Sequence, residues 1–297
     1  MGKSGFNISV KEIFEQRNIQ ALSQHLKRQE KLATCCRIKK MEKQLLVDAK
    51  DYTPYVTFYD HHNYKAPLFI FPQGRGGAES YFNNLVPRVD KKQLVLFNNF
   101  YLHIQQQYGE DIAQQYTYER LASEHYIPLI KKIQPHGPYH FLGWCFGGVL
   151  AFEIARQLCR EGEKVNQLIM IDAFFNQKEV VTILNKKHAI NISEDIDCRY
   201  SPVDVVLNPE AMTIMFKAMR VANGMPQYEQ FSPTEETSFQ PFQRMAEYYI
   251  SKTTDNGLST VLQNNLIKVI PCDVDHDHFF SKEDIVKKIA AECLREI

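Results

Sequence analysis

The segment 139–158, YHFLGWCFGGVLAFEIARQL, restricts the fold more than any other stretch of this chain. Its first residues read as an apolar strand, and Gly143-Trp144-Cys145-Phe146-Gly147 leads without a spacer into a long helical pattern. A strand that becomes a helix so quickly needs a very tight turn. Such a turn strains the backbone of its central residue and presses the flanking residues against neighbouring backbone, so glycine is required at 143 and 147. The turn lifts the Cys145 side chain above the strand end and sets it at a helix N-terminus. Free N–H groups and the helix dipole there favour a thiolate and an oxyanion. The plainer alternative is a buried core cysteine, free cysteine being among the most buried residue types. The strand, both glycines and the helix occurring together weigh against it.

From Tyr55 onward, short apolar runs alternate with longer helical patterns. Strands are predicted at 56–59, 67–71, 94–98, 139–142, 167–171 and 266–270, and helices at 78–86, 118–133, 146–160 and 283–296. This alternation implies βαβ units: an α/β fold with a mostly parallel sheet and helices on both faces. Pro128 falls inside one helical pattern and predicts a kink or break there. Residues 174–252 interrupt the rhythm, with five prolines and one helical pattern at 211–222. An insertion of this size between sheet strands reads as a lid over a site.

Thirty-five basic residues balance thirty-five acidic ones, so no basic surface for a nucleic acid is expected. No apolar run reaches the roughly 18 residues that a membrane span needs. The start, MGKSGFNISV, has no secretory apolar core, and Phe6 stands where a myristoylation signal needs Ser or Thr. The seven cysteines are odd in number and follow no zinc-ligand spacing. They read as reduced thiols of a cytoplasmic protein. His276 and His278, even taken with His61 and His62, match no metal-ligand spacing either, so no metal is expected.

The block GPYHFLGWCFGGVLAFEIARQL resembles the active-site block of thioesterase domains from nonribosomal peptide synthetases and related polyketide enzymes. Those domains usually carry serine at the central position; Cys145 is the variant with cysteine. The resemblance runs from about Val56 to the C-terminus and implies an α/β-hydrolase fold, with nucleophile, acid and base in that order along the chain. Cys145 is then the nucleophile. Asp172, at the end of the next predicted strand, takes the place of the acid. The base is expected after the last strand, where VIPCDVDHDHFF offers His276 and His278. The family's run there is best matched by Asp277-His278-Phe279-Phe280, which makes His278 the expected base and His276 the alternative. An oxyanion hole is expected from the Phe146 N–H and from Gln73 or Gly74 in the loop after strand 67–71. Arg75 in that loop could clamp a substrate carboxylate or simply be solvated. The loop lacks the Gly-Lys-Ser/Thr of a phosphate loop.

Residues 1–28 resemble the last helices of a peptidyl carrier domain, without the serine that would hold its phosphopantetheine arm; a generic amphipathic appendage is the alternative. Residues 29–52 read as a linker, and 53–297 as the hydrolase domain with a lid at about 174–252. The resemblance implies chain release. An acyl or peptidyl chain arrives on the phosphopantetheine of an upstream carrier, passes to Cys145, and leaves by lactone or lactam formation or by hydrolysis. No bound cofactor is expected. Two alternatives stay open: a free-standing editing thioesterase, and an inactive module that only docks carriers.

Overall fold

The structure is a computed structural model that describes residues 52–59, 66–81, 83–175, 207, 211–220, 254–260, 262 and 267–295. The chain divides into two compact units, Met1–Tyr52 and Thr53–Ile297. The predicted carrier remnant, almost all of the linker, and most of the predicted lid lie outside the described residues.

One seven-stranded sheet organises the second unit. Its strands are β1 (Tyr55–Phe58), β2 (Leu68–Phe71), β3 (Leu94–Phe97), β4 (Tyr139–Trp144), β5 (Val165–Ile171), β6 (Met212–Ala218) and β7 (Ile267–Cys272), in the order β1-β3-β2-β4-β5-β6-β7. Only β1 runs antiparallel to its neighbour. The helices are α1 (Phe100–Tyr108), α2 (Glu110–Ala113), α3 (Tyr118–Leu121), α4 (Ile127–Ile133), α5 (Phe146–Arg160) and α6 (Glu283–Cys293), with a π-helical turn at Ala122–Tyr126 between α3 and α4.

The central strands are buried at every position and almost wholly apolar, as strands covered on both faces must be. Strand side chains alternate between faces. Leu68, Ile70, Leu142 and Trp144 therefore pack in one cluster with Ile285, Val286 and Ile289 of α6. Phe69, Phe71 and Phe141 point the other way, where Phe71 meets the Tyr126 ring at 5.8 Å. The π-helical turn that holds Tyr126 packs on α5, which lies against β2, β4 and β5. The expected two-sided covering is thus present.

The sheet order sets β4 between β2 and β5. Being parallel, all three open their following loops at one edge, where sites form in such sheets. The glycines let α5 start hard against that edge. A Cβ on Gly147 would lie 2.5 Å from the Pro72 carbonyl oxygen, and one on Gly143 would lie 2.0 Å from the Gly147 oxygen.

Four sequence expectations change or sharpen. Helix 78–86 is instead a pair of short 3-10 turns, Ala78–Tyr81 and Val86–Arg88, the second carrying Pro87 in its first positions. Helix α1 was not predicted; Asn99 caps it, its side chain accepting from the Leu102 N–H at 2.9 Å. Pro128 sits in the first turn of α4, directly after the π-helical turn. Its missing N–H is the local reason for the irregularity.

The largest change is at 211–222, where strand β6 replaces the predicted helix. Met212, Met215 and Met219 recur at helical intervals, but a short apolar run cannot be told from a buried strand by period alone. Thr213 and Ile214 favour the extended chain, and β6 is filled on both sides, with Ile214 opposite Ile169 and Lys268. The stretch 174–252 is therefore not a single insertion, since it contains a sheet strand.

The strand assignment predicts unequal costs along β6. Phe216 is fully buried and Met219 is 60% exposed. Phe216→Ala should cost about 3–5 kcal/mol in chemical denaturation, and Met219→Ala about 0.5 or less. Equal costs would contradict the strand.

Candidate active site

Cys145 stands between β4 and α5 with φ 54° and ψ −118°, a conformation that strains any residue with a Cβ. Its N–H donates to the Ile171 oxygen at 2.8 Å, and its carbonyl accepts from Gly148 N–H at 2.9 Å. The turn is thus fastened to β5 and to the first turn of α5. The thiol is half-buried.

Asp172 ends β5, also with positive φ (44°), and its N–H donates to the Phe216 oxygen of β6 at 2.7 Å. The side chain is 3% exposed. Its Oδ1 accepts from the Ala218 N–H at 3.0 Å and the Asn256 amide at 2.8 Å. Its Oδ2 lies 2.7 Å from Nδ1 of His276. His276 opens the 3-10 helix His276–Ser281 that follows β7, between the rings of Trp144 and Phe174. Burial pushes its pKa down. The charge and hydrogen bond of Cys145, with those of Asp172, more than reverse this and hold the imidazole well above its usual range.

The position expected of His278 is therefore corrected. His278 is 60% exposed and pairs with Asp275 at 2.5 Å, whereas His276 is 21% exposed and meets Asp172. A 3-10 helix turns about 120° per residue, so residues two apart cannot face the same way. Asp275 caps this helix, accepting from the Asp277 N–H, and holds His278 outward. Phe279 and Phe280 anchor the same turn in the core.

The loop after β2 comes against α5: a Cβ built on Gly74 would lie 3.5 Å from the Phe146 Cβ. Phe146 is the first residue of α5, so its N–H has no acceptor within the helix. The Gln73 carbonyl accepts from the Asn99 amide at 2.8 Å. In a trans peptide the N–H of Gly74 then points away from Asn99. Asn98 holds the far end of the loop, accepting from the Ala78 N–H at 3.0 Å. Arg75 is exposed.

Sequence reasoning missed four residues that shape this site. Tyr81, fully buried, donates to the Phe71 oxygen at 2.7 Å and accepts from the Trp144 N–H at 3.3 Å, tying the ends of β2 and β4 together. Burial drives its phenol far above the usual range, so it stays a neutral hydroxyl that can do both. Asn98 and Asn99 fix the loop, and Asn256 holds Asp172. The signals were present: paired asparagines after a strand, and the turn sequence Asp255-Asn256-Gly257.

A thiol at a helix N-terminus, coupled by charge to an imidazole that a carboxylate orients, can exchange a proton and attack a carbonyl carbon. Burial pushes two further thiols up, Cys272 to about 11 and Cys293 to about 12. Among the described residues, no group of three His, Cys, Asp or Glu could hold a metal ion. Nor is any helix long and apolar enough to cross a membrane.

The profile of the family described as thioesterase domain matches residues 66–288. The chain is 35% identical over 243 residues to N-(5-amino-5-carboxypentanoyl)-L-cysteinyl-D-valine synthase of Penicillium rubens, covering 78% of this chain. The synthase of the same name from Amycolatopsis lactamdurans is 32% identical over 74% of this chain. The chain spans 6% of the length of these relatives. The NocB thioesterase domain from the nocardicin cluster superposes with a TM-score of 0.50 at 17% identity, covering 80% of this chain and 96% of that one. The four-domain nonribosomal peptide synthetase holo-AB3403 also gives 0.50 at 18% identity, covering 84% and 21%. These likenesses carry the α/β-hydrolase fold.

The contact between thiol and imidazole has a measurable consequence. In Cys145→Ala the negative neighbour is gone while burial still opposes protonation, so His276 should titrate at lower pH than in the native chain. NMR titration of the imidazole reads this directly. An unchanged titration would mean that the two groups do not touch.

Proposed function

The chain belongs to the thioesterase domain family, and on that premise we propose that it takes a peptidyl or acyl chain from a carrier's phosphopantetheine onto Cys145 and releases it. The observation that carries this reading is the His276–Asp172 pair, 2.7 Å apart at the sheet edge, with Cys145 held at positive φ at the end of β4 and coupled to that imidazole by charge. Asp172 holds Nδ1–H of His276, and Nε2 carries the proton that the Cys145 thiol gives up. The thiolate adds to the thioester carbonyl, and the oxyanion is met by the N–H groups of Phe146 and of Gly74 or Gln73. Collapse expels the pantetheine thiol, which regains a proton from His276. One thioester has replaced another, so the step is nearly balanced.

In the second half His276 takes a proton from the acceptor, which attacks the acyl-cysteine and frees the thiol. An acyl-cysteine is more reactive toward amines and hydroxyls than an acyl-serine, which keeps intramolecular capture within its chemistry. The relatives' product, by its name, is an acyclic tripeptide, and that supports water as the acceptor here. The relatives are multidomain synthases, which supports an upstream peptidyl carrier domain as the partner in release.

Intact-mass analysis after mixing the chain with a peptidyl N-acetylcysteamine thioester tests the assignment. An acyl adduct should form on Cys145 and be absent in Cys145→Ala. Turnover by Cys145→Ala, or no adduct on the native chain, would overturn it, the latter in favour of a docking role.

The base assignment separates the two histidines. His276→Ala should lower turnover about 10²–10⁴-fold, and His278→Ala only a few-fold. The reverse pattern would return the base to His278.

A further inference from the structure

We infer that Asn256 is a positioning residue for release chemistry, fixing the Asp172 carboxylate so that its second oxygen faces His276. The inference rests on the reading of Cys145, His276 and Asp172 given above. Asn256 lies 84 positions from Asp172 in a buried Asp255-Asn256-Gly257 turn, with no exposed surface. Its Nδ2 donates to Asp172 Oδ1 at 2.8 Å, and its carbonyl accepts from the Phe175 N–H at 3.0 Å. It therefore grips the segment after β5 at the acid and again three residues later.

The amide's orientation is chemically determined. Turned over, its oxygen would oppose Asp172 Oδ1, acceptor against acceptor. In the orientation present, Oδ1 of Asn256 is buried and has no hydrogen-bond partner among the described residues. An unmet buried acceptor is unfavourable, because it has given up its hydrogen bonds to water without replacement. The turn alone gives no reason to accept this. Its φ of 53° suits glycine without any side chain, and aspartate about as well as asparagine. The amide has one use that neither can supply, a neutral donor to Asp172.

Neutrality matters to the chemistry. A cation here would pair with the carboxylate and compete with His276. An uncharged N–H, together with the Ala218 N–H on the same oxygen, sets the rotation of the carboxylate and leaves its full charge for the imidazole. The Ala218 donor is backbone and the Asn256 donor is a side chain, so only the second can be removed by substitution without altering β6.

The test uses Asn256→Gly, which keeps the turn and removes the donor, and Asn256→Asp, which keeps the turn and replaces the donor with an acceptor. Both should slow acylation of Cys145 by about 10- to 100-fold, the loss of one hydrogen bond to a charged group. KM for the thioester mimic should be unchanged, and Asp should be the worse of the two. The downfield proton resonance of His276 Nδ1–H should move or broaden in both, which a purely structural turn residue would not cause. Folded variants that acylate at the native rate with that resonance unmoved would overturn the inference. Should neither variant fold, the native chain decides: the Asn256 amide protons should be protected from exchange, and free exchange would overturn the inference. Native acylation at Cys145 is the control. Its absence defeats the assigned site, whereas its presence with unaffected variants defeats only the role of Asn256.

Discussion

The close approach of α5 to the ends of β2 and β4 is the constraint on which the rest of the site depends. At Gly147 a methyl group would sit within 2.6 Å of two backbone oxygens of Phe71 and Pro72, and at Gly148 within 2.7 Å of the Ala173 side chain. Those neighbours are a strand end and the residue after Asp172. They cannot retreat without moving β2 or β5, both of which are hydrogen-bonded to β4. The absence of side chains at these points brings the helix N-terminus against the loop after β2. The strain at Cys145 follows from the same approach. It is sustained because the residue is fastened on both sides, to Ile171 and to α5.

Asp172 presents a different problem, since a buried carboxylate is unfavourable unless its lone pairs are met. Three donors meet them, from β6, from the turn at Asn256 and from the helix after β7. They lie 46, 84 and 104 positions away in the chain. No local stretch could have assembled them. Asp172 is placed by sheet order, which puts β6 beside β5 and β7 beside β6, and its carboxylate closes the edge that these strands create.

The parts of the fold that were legible in the sequence were those governed by local rules. Strands β2 to β5 are nearly unbroken apolar runs, and α5 has a strong helical period bounded by the elbow. Strand β6 was misread because methionines at 212, 215 and 219 imitate a helical face, and only pairing with β5 and β7 makes the chain extended there. The 3-10 turns at 78–88 were misread because apolar spacing does not record which hydrogen bond, to the third or the fourth residue back, closes the turn. The clamps from Tyr81, Asn98, Asn99 and Asn256 left only local turn signals, because a polar residue in a turn or loop reads alike whether it faces water or a buried partner.

What the sequence by itself determined was the strand–turn–helix around Cys145, because two glycines and the hydrophobic periods on either side of them act over a few residues of backbone. The sequence also put Asp172 at a strand end and two histidines after the last strand. Which histidine meets Asp172 was decided only by tertiary structure. The choice turns on the phase of a six-residue 3-10 helix, set by the burial of Phe279 and Phe280 beneath it and by Asp275 holding His278 away. Helix phase of that kind is fixed by contacts across the molecule, and two residues of sequence spacing carry no record of it.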